Sequence, residues 1–380
     1  MLNYEELRAL LCLNRTASGL AARQALALFQ EGLLPREVCE RLMAAGALSE
    51  EKLFPDETLF HPGREIESAG LAGIRLLTWF DADYSQSLRS IENAPLVLYV
   101  RGTLTPQDAA AVAVVGSRHP SFYGSSQAER LARELAESGL TVVSGLARGI
   151  DEAAHKGCLT VGHGRTLAVL GCGVDRIYPR ENEKLYAAIA ERGALISEFP
   201  LGTGPLAWHF PRRNRIIAGL SMGVLVVEAH LRSGSLITAQ LAAEQGRQVF
   251  AVPGPVDQWT SRGANQLLRE GAVLVESAQD ILEDLAPLFK TGMAQTSAVT
   301  LQKQFDFSTE TAEPESSTPQ SGTADLDDVL LKLLQEEPLT ADEILVRRTQ
   351  ESREVLAVLG RLEISGRIAK ARDGRFAVCV

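Results

Sequence analysis

Apolar residues in the first 68 positions recur at helical spacing. Leu7, Leu10 and Leu11 form one stripe and Leu20, Leu26 and Leu28 the next, with no strand-like alternation between them. Pro35 suits a first helical turn. From about Gly73 the pattern changes to short apolar runs. Leu96–Val100, Val112–Val115, Thr141–Val143, Thr166–Leu170, Ala194–Ser197, Val224–Val227 and Gln248–Val252 read as strands, and several run into glycine (Gly116, Gly145, Gly171). Between them the spacing predicts a helix over 125–138, with Ser126 and Glu129 as a capping box and Gly139 as its stop. Another follows Pro179 and ends at Gly193. Strand, glycine turn, helix, strand predicts an α/β fold: a Rossmann-like parallel sheet covered on both faces, spanning residues 72–288.

The pattern then breaks. Residues 289–323 are dominated by Thr, Ser, Gln, Glu and Pro and lack the apolar content to fold, so they read as a flexible linker. Within 324–380, Leu326–Leu334 is helical, Thr340 and Glu343 box the start of a second helix, and Val355, Leu359 and Leu362 stripe a third. Alternating runs then flank Asp373-Gly374, a hairpin signal. Three helices and a hairpin predict a winged helix.

Composition adds limits. The chain of 380 residues is 45% hydrophobic and 23% charged, which suits a globular protein of two or three domains. No apolar run approaches a membrane span, and the acidic N-terminus is not that of a signal peptide. Five scattered cysteines without a Cys-x-x-Cys pair suggest a reducing cytoplasm, with neither disulfides nor a zinc site. The net charge of −10 is unevenly placed. Residues 305–345 hold eleven acids against Lys332 alone, whereas residues 110–290 balance eighteen acids with eighteen Lys and Arg. The global charge therefore says little about the core surface.

Candidate chemistry concentrates at the ends of the strands. Arg212, Arg213 and Arg215, with Asn214 among them, follow Pro211 at an expected helix start. The helix dipole makes that end unfavourable for cations unless an anion is bound, so the cluster is expected to hold phosphate. Arg118 in Gly116-Ser117-Arg118 and the turn Ser233-Gly234-Ser235 offer two further anion sites. Gly145 and Gly149 would let a ligand approach the backbone, beside Arg148, while Asp151 can cap the helix that follows. Trp208 and Phe210 precede the arginines. Phe210 is expected to stack a base and Trp208 divides evenly between core and stacking. Catalytic signals are thin. Gly171-Cys172-Gly173 begins like a dinucleotide fingerprint, but Arg176 stands where the third glycine belongs, and no P-loop exists. Glu228, at a strand's carboxyl end, reads as a hydrogen-bond acceptor before a general base. Asp151 and His155 read as a cap and a surface contact. No catalytic residue, metal or cofactor is expected.

Taken in order, Gly-Ser-Arg (116–118), Ser-Gly-Leu-Ala-Arg-Gly-Ile-Asp (144–151), Ala-Val-Leu-Gly-x-Gly-x-Asp-x-x-Tyr-Pro (168–179), Phe-Pro-x-Arg-Asn-Arg-Ile-Ile-Ala-Gly-Leu-Ser (210–221), Val-Val-Glu-Ala (226–229) and Ser-Gly-Ser-Leu-x-Thr-Ala (233–239) resemble the DNA-processing protein A (DprA/Smf) family. The resemblance covers roughly 72–288. It implies an extended Rossmann domain that binds single-stranded DNA without catalysis, a homodimer, and loading of the RecA recombinase during natural transformation. Carried over by position, Gly116, Ser117, Arg118, Phe210 and Arg212 to Arg215 would line the DNA pocket, with Gly145, Arg148 and Ser233 to Ser235 nearby. Residues 1–68 look like the family's sterile-alpha-motif or helix-hairpin-helix module, although only Gly19 stands where a Gly-x-Gly hairpin would be. Arg367, Lys370, Arg372 and Arg375 make the winged-helix hairpin basic, suited to DNA contact, to docking a protein or to an autonomous stability role. Two other readings are a nucleotide or nucleoside phosphoribohydrolase, with Glu228 and Arg118 catalytic, and a purely structural scaffold.

Overall fold

The computed structural model describes residues 2–16, 20–49, 51, 60–290, 339–340, 362, 368–370 and 375–378. The chain divides into two compact units, Met1–Asp306 and Phe307–Val380.

The first unit is built on a nine-stranded sheet. Its strands are β1 (Arg75–Thr78), β2 (Val97–Gly102), β3 (Ala111–Val115), β4 (Thr141–Ser144), β5 (Thr166–Leu170), β6 (Ala194–Ser197), β7 (Gly223–Val226), β8 (Gln248–Ala251) and β9 (Val273–Leu274), in the order β1-β2-β6-β5-β4-β3-β7-β8-β9. From β6 to β9 all neighbours are parallel, and β1 and β2 close one edge antiparallel. Strands β3 to β7 are buried along their whole length. That is why they read as continuous apolar runs and not as alternation. The order runs β3 to β6 in one direction and β7 to β9 in the other. The chain therefore reverses between β3 and β7, and their carboxyl ends open the crevice where such sheets bind ligands.

Helices cover both faces. One face carries α6 (Phe122–Glu137), α7 (Ile150–Thr160) and α12 (Ala278–Lys290) over Val112, Val114, Val142 and Phe250. The other carries α8 (Glu183–Arg192), α9 (His209–Gly219), α10 (Gly234–Glu244) and α11 (Arg262–Arg269). Its core continues without a break into the N-terminal helices α1 (Tyr4–Thr16), α2 (Leu20–Gln30), α3 (Pro35–Ala44) and α4 (Pro62–Leu71), through Leu10, Leu13 and Phe29. Short α5 (Gln86–Arg89) lies between β1 and β2. Pro35 opens α3 as expected. Buried Asn14 ties α1 to the sheet. Its Nδ2 donates to the Glu198 carbonyl at 3.1 Å, and its Oδ1 accepts from Val97 N at 3.1 Å. Helix α4 runs through the expected boundary at 68–72, so packing does not break there.

One helix starts earlier than its spacing predicts. Helix α6 begins at Phe122, with Ser121 and not Ser126 at the cap; Ser121 Oγ accepts from Gly124 N at 3.0 Å. Buried Glu228 decides between the serines, because it holds Ser121 N at 3.1 Å and Ser121 Oγ at 2.6 Å. The stop at Gly139 stands, with φ +79°.

In the second unit, β11 (Ile368–Lys370) and β12 (Arg375–Val378) pair antiparallel as the expected hairpin, and β10 (Leu339–Thr340) joins β12 on its other side. The three helices expected there, apart from Leu362, lie outside the described residues, as do the 291–323 segment, Arg367 and Arg372. Lys370 and Arg375 stand on the hairpin strands.

Candidate nucleic-acid interface

The glycine turns pack first against one another. A methyl group on Gly145 would enter the Arg213 guanidinium, and Gly149, at φ +81°, faces the Ser117 carbonyl and Pro120. The expected ligand approach at Gly145 and Gly149 is therefore taken by protein atoms. Asp151 does not cap its helix, whose cap is Gly149. Its buried carboxylate instead accepts from Gly145 N at 3.1 Å and Ala147 N at 3.4 Å, holding a turn in which Leu146 adopts φ 53°. His155 is not a surface contact but fully buried, with Nδ1 at 2.7 Å from Thr166 Oγ1. Thr166 Oγ1 donates to the Val142 carbonyl, so His155 Nδ1 carries the proton.

The arginine cluster is likewise corrected in direction. Helix α9 begins at His209, which places Arg213 and Asn214 against the sheet. Arg213 is only 4% exposed. Its guanidinium donates to the Gly145 and Val169 carbonyls and to Asn214 Oδ1 at 3.2 Å. Burial, the main influence, brings its pKa down to about 10, and burial also raises Asp151 above the carboxylate range against the attraction of Arg213. Asn214 Nδ2 reaches the Gly234 carbonyl at 3.3 Å and fastens α9 to the start of α10. Arg212 and Arg215, one helical turn apart, both pair with Glu198, which is 4% exposed just beyond β6; Arg212 Nε lies at 2.9 Å from its Oε2. The cations expected to need a phosphate thus find carbonyls and one buried carboxylate. Pattern alone did not reveal Glu198, although an acid directly after a buried strand was its signal.

What remains open lies along the crevice. Arg118 is exposed in the turn after β3, forms no ion pair among the described residues, and sits 4.9 Å over the Phe210 ring. Phe210 is half-buried. It rests on Gly171, where a Cβ would stand 2.9 Å from its Cδ1, and Tyr178 flanks it at 5.8 Å with a 44° tilt. Pattern alone gives Tyr178 no role. Gly116 packs on Ile150, and Ser117 is buried, its Oγ accepting from His119 N at 3.1 Å, so both shape the Arg118 turn. Ser233 caps α10 and meets Ser235 Oγ at 2.7 Å, while Gly234 faces open space. Arg148 is exposed but pairs with Glu181. Trp208 is 61% exposed, which places it outside the core. Glu228 is spent on Ser121 and is buried, so nothing frees it to act as a base.

A family model described as DNA recombination-mediator protein A matches residues 75–286, more than half of the chain. The chain belongs to the DNA recombination-mediator protein A family. A second model, the DprA winged helix domain, matches residues 313–374, which gives this family member its C-terminal module. Protein Smf of Escherichia coli is 51% identical over 53% of the chain and 54% of its own length, so the match spans about half of that relative. The crystal structure of DNA processing protein A from Streptococcus pneumoniae aligns with a TM-score of 0.63 and 36% identity, over 74% of this chain and 98% of that one. DNA processing protein A from Helicobacter pylori, solved for its single-stranded DNA binding mode, aligns at 0.51 and 30% identity, over 56% and 96%. Among the described residues of this family member, no helix is long and apolar enough to cross a membrane.

Proposed function

We propose that the chain binds single-stranded DNA along the carboxyl edge of its sheet, as a non-catalytic recombination mediator. The observation that carries this reading is Arg118 over Phe210 beside the reversal point of the sheet: an aromatic face and an uncommitted guanidinium side by side. A base stacking on Phe210 displaces an exposed cation–π contact worth about 0.5–1 kcal/mol. The stack returns about 1–3 kcal/mol, and the freed guanidinium then takes a phosphate, worth about 1.5–3 kcal/mol. The exchange favours the nucleotide. The open start of α10 at Gly234 is a second anion position. The single-stranded DNA binding mode described for the Helicobacter pylori relative supports the reading.

Beyond this, the protein acts in the cytoplasm as a homodimer, protects incoming strands during natural transformation and loads RecA on them; family membership supports these roles. Gel shift of oligothymidine against its duplex is the test. Single strands are expected to bind tightly and the duplex weakly. Arg118→Ala is expected to weaken binding roughly tenfold or more and to flatten the salt dependence by about 0.7 log unit per log unit of salt. An unchanged slope in a folded variant removes Arg118 from the site. Release of free base from nucleoside monophosphates would instead favour the hydrolase.

A further inference from the structure

The N-terminal helices and the loop beyond β6 line an open cavity of about 480 Å³, bordered by Arg15, Phe60, His61, Arg64, Gly202 and Thr203 among others. It does not touch the arginine cluster of α9. Arg15 stands over the Phe60 ring at 4.9 Å. Arg15 and Arg64 are both exposed, and neither guanidinium has an ion-pair partner among the described residues. Among the described residues two carboxylates stand near it, and each accepts a backbone hydrogen bond. Glu65, in the lining, accepts from Leu201 N at 2.7 Å, and burial raises its pKa above the usual range. Asp175 accepts from Gly202 N at 2.9 Å and pairs with Arg176 at 3.6 Å. Two guanidiniums outnumber the one carboxylate of the described lining, so the hollow carries an excess of positive charge at the same edge of the sheet as the Phe210 platform.

A short stretch of backbone also ties it to that platform. Gly171 supports Phe210, and two residues later Gly173 N donates to the Thr203 carbonyl in the cavity lining at 2.9 Å. One short loop separates a base-stacking face from a cationic hollow. We infer that the cavity takes phosphodiester groups of the same single strand as it leaves Phe210, held by Arg15 and Arg64. The N-terminal helices are then the second half of the DNA track. This rests on the single-stranded DNA reading above, and long single strands reach both halves while short ones fill only the first.

The experiment compares the full chain with Arg15→Ala/Arg64→Ala and with Arg118→Ala, on short and long oligothymidines across a salt series. The double variant is expected to bind short strands as the parent does. On long strands it should lose about 1.4 log units of salt slope, at about 0.7 per phosphate contact. Arg15→Lys/Arg64→Lys should recover most of that slope, because it keeps the charge, whereas a loss of packing on Phe60 would not be recovered. Parent-like slopes on long strands in the alanine variant, while Arg118→Ala weakens both lengths, overturn the cavity's role and leave the platform standing. If Arg118→Ala changes neither length, the platform itself fails. If inorganic phosphate protects the parent against thermal unfolding but the alanine variant keeps its long-strand slope, the cavity is a small-anion site and the inference falls.

Discussion

At the scale of single residues, burial decides what each polar group is for. His155 is fully buried and donates from Nδ1, while its Nε2 has no partner among the described residues. Burial, the larger influence, and Arg213 lower its pKa to about 3. The folded state therefore keeps it neutral, while the unfolded chain takes up a proton below the ordinary value of about 6.5. Its stabilising share is complete above that pH and is lost as the pH falls from about 6.5 toward about 3, by roughly 1.4 kcal/mol per unit. His155→Gln is expected to shallow the acid side of the stability profile by that slope, read from urea unfolding at neutral pH and near pH 5. An unchanged slope would mean that His155 is protonated in the fold. Asp151 and Glu65, raised by burial, act in the opposite sense in more acidic solution, and the parent–variant difference removes them. The same burial explains what pattern hid. Three arginines beside Phe210 point to the start of α9, yet spacing cannot tell which face of α9 meets the sheet. Arg213 went inward, Arg212 and Arg215 went to Glu198, and Arg118, which stands alone in its turn, kept the open position.

At the scale of elements, strands were far more legible than their joints. Each buried run became a strand within a residue or two, because a strand covered on both faces, as the parallel ones are, has no polar position to blur it. The joints depend on partners distant in the chain. Ser121 caps α6 because Glu228, 107 residues away, holds it, and Asn14 docks α1 through Glu198, 184 residues away. Neither pairing leaves a local trace. Gly124 shows how tight such a joint is, since a Cβ there would run into the Glu228 carboxylate. Gly124→Ala must push that carboxylate off Ser121 or shift the start of α6. The expected cost is about 1–3 kcal/mol, as for other overpacked cores, seen as a lower urea midpoint at unchanged m. Because Ser121 ends the turn that carries Arg118, oligothymidine affinity should fall as well. A variant as stable as the parent would show that α6 can slide, and that Glu228 does not fix the turn.

For the whole molecule, the placement of charge matters more than its sum. Residues 305–345 carry a net −10, and the remainder of the chain sums to zero. The crevice with Arg118 and Gly234 therefore shares a chain with a polyanion that can compete for the same cations. Among the described residues, the cores of the first unit draw on residues up to Leu285, all of which truncation after Lys290 keeps. If the acidic stretch competes, the truncated chain binds oligothymidine more tightly than the full chain at low salt. The difference should close as ionic strength passes about 0.15 M, where the screening length falls to about 8 Å. Truncation also removes Arg367, Lys370, Arg372 and Arg375, so a hairpin that holds DNA predicts the reverse, weaker binding with a shallower salt slope. Neutral replacements of Asp306, Glu310, Glu313 and Glu315 in the full chain separate the two, because they lower the negative charge and keep the hairpin. Tighter binding in both proteins establishes competition. Weaker binding on truncation alone assigns DNA contact to the hairpin, and equal affinity throughout the salt series refutes both.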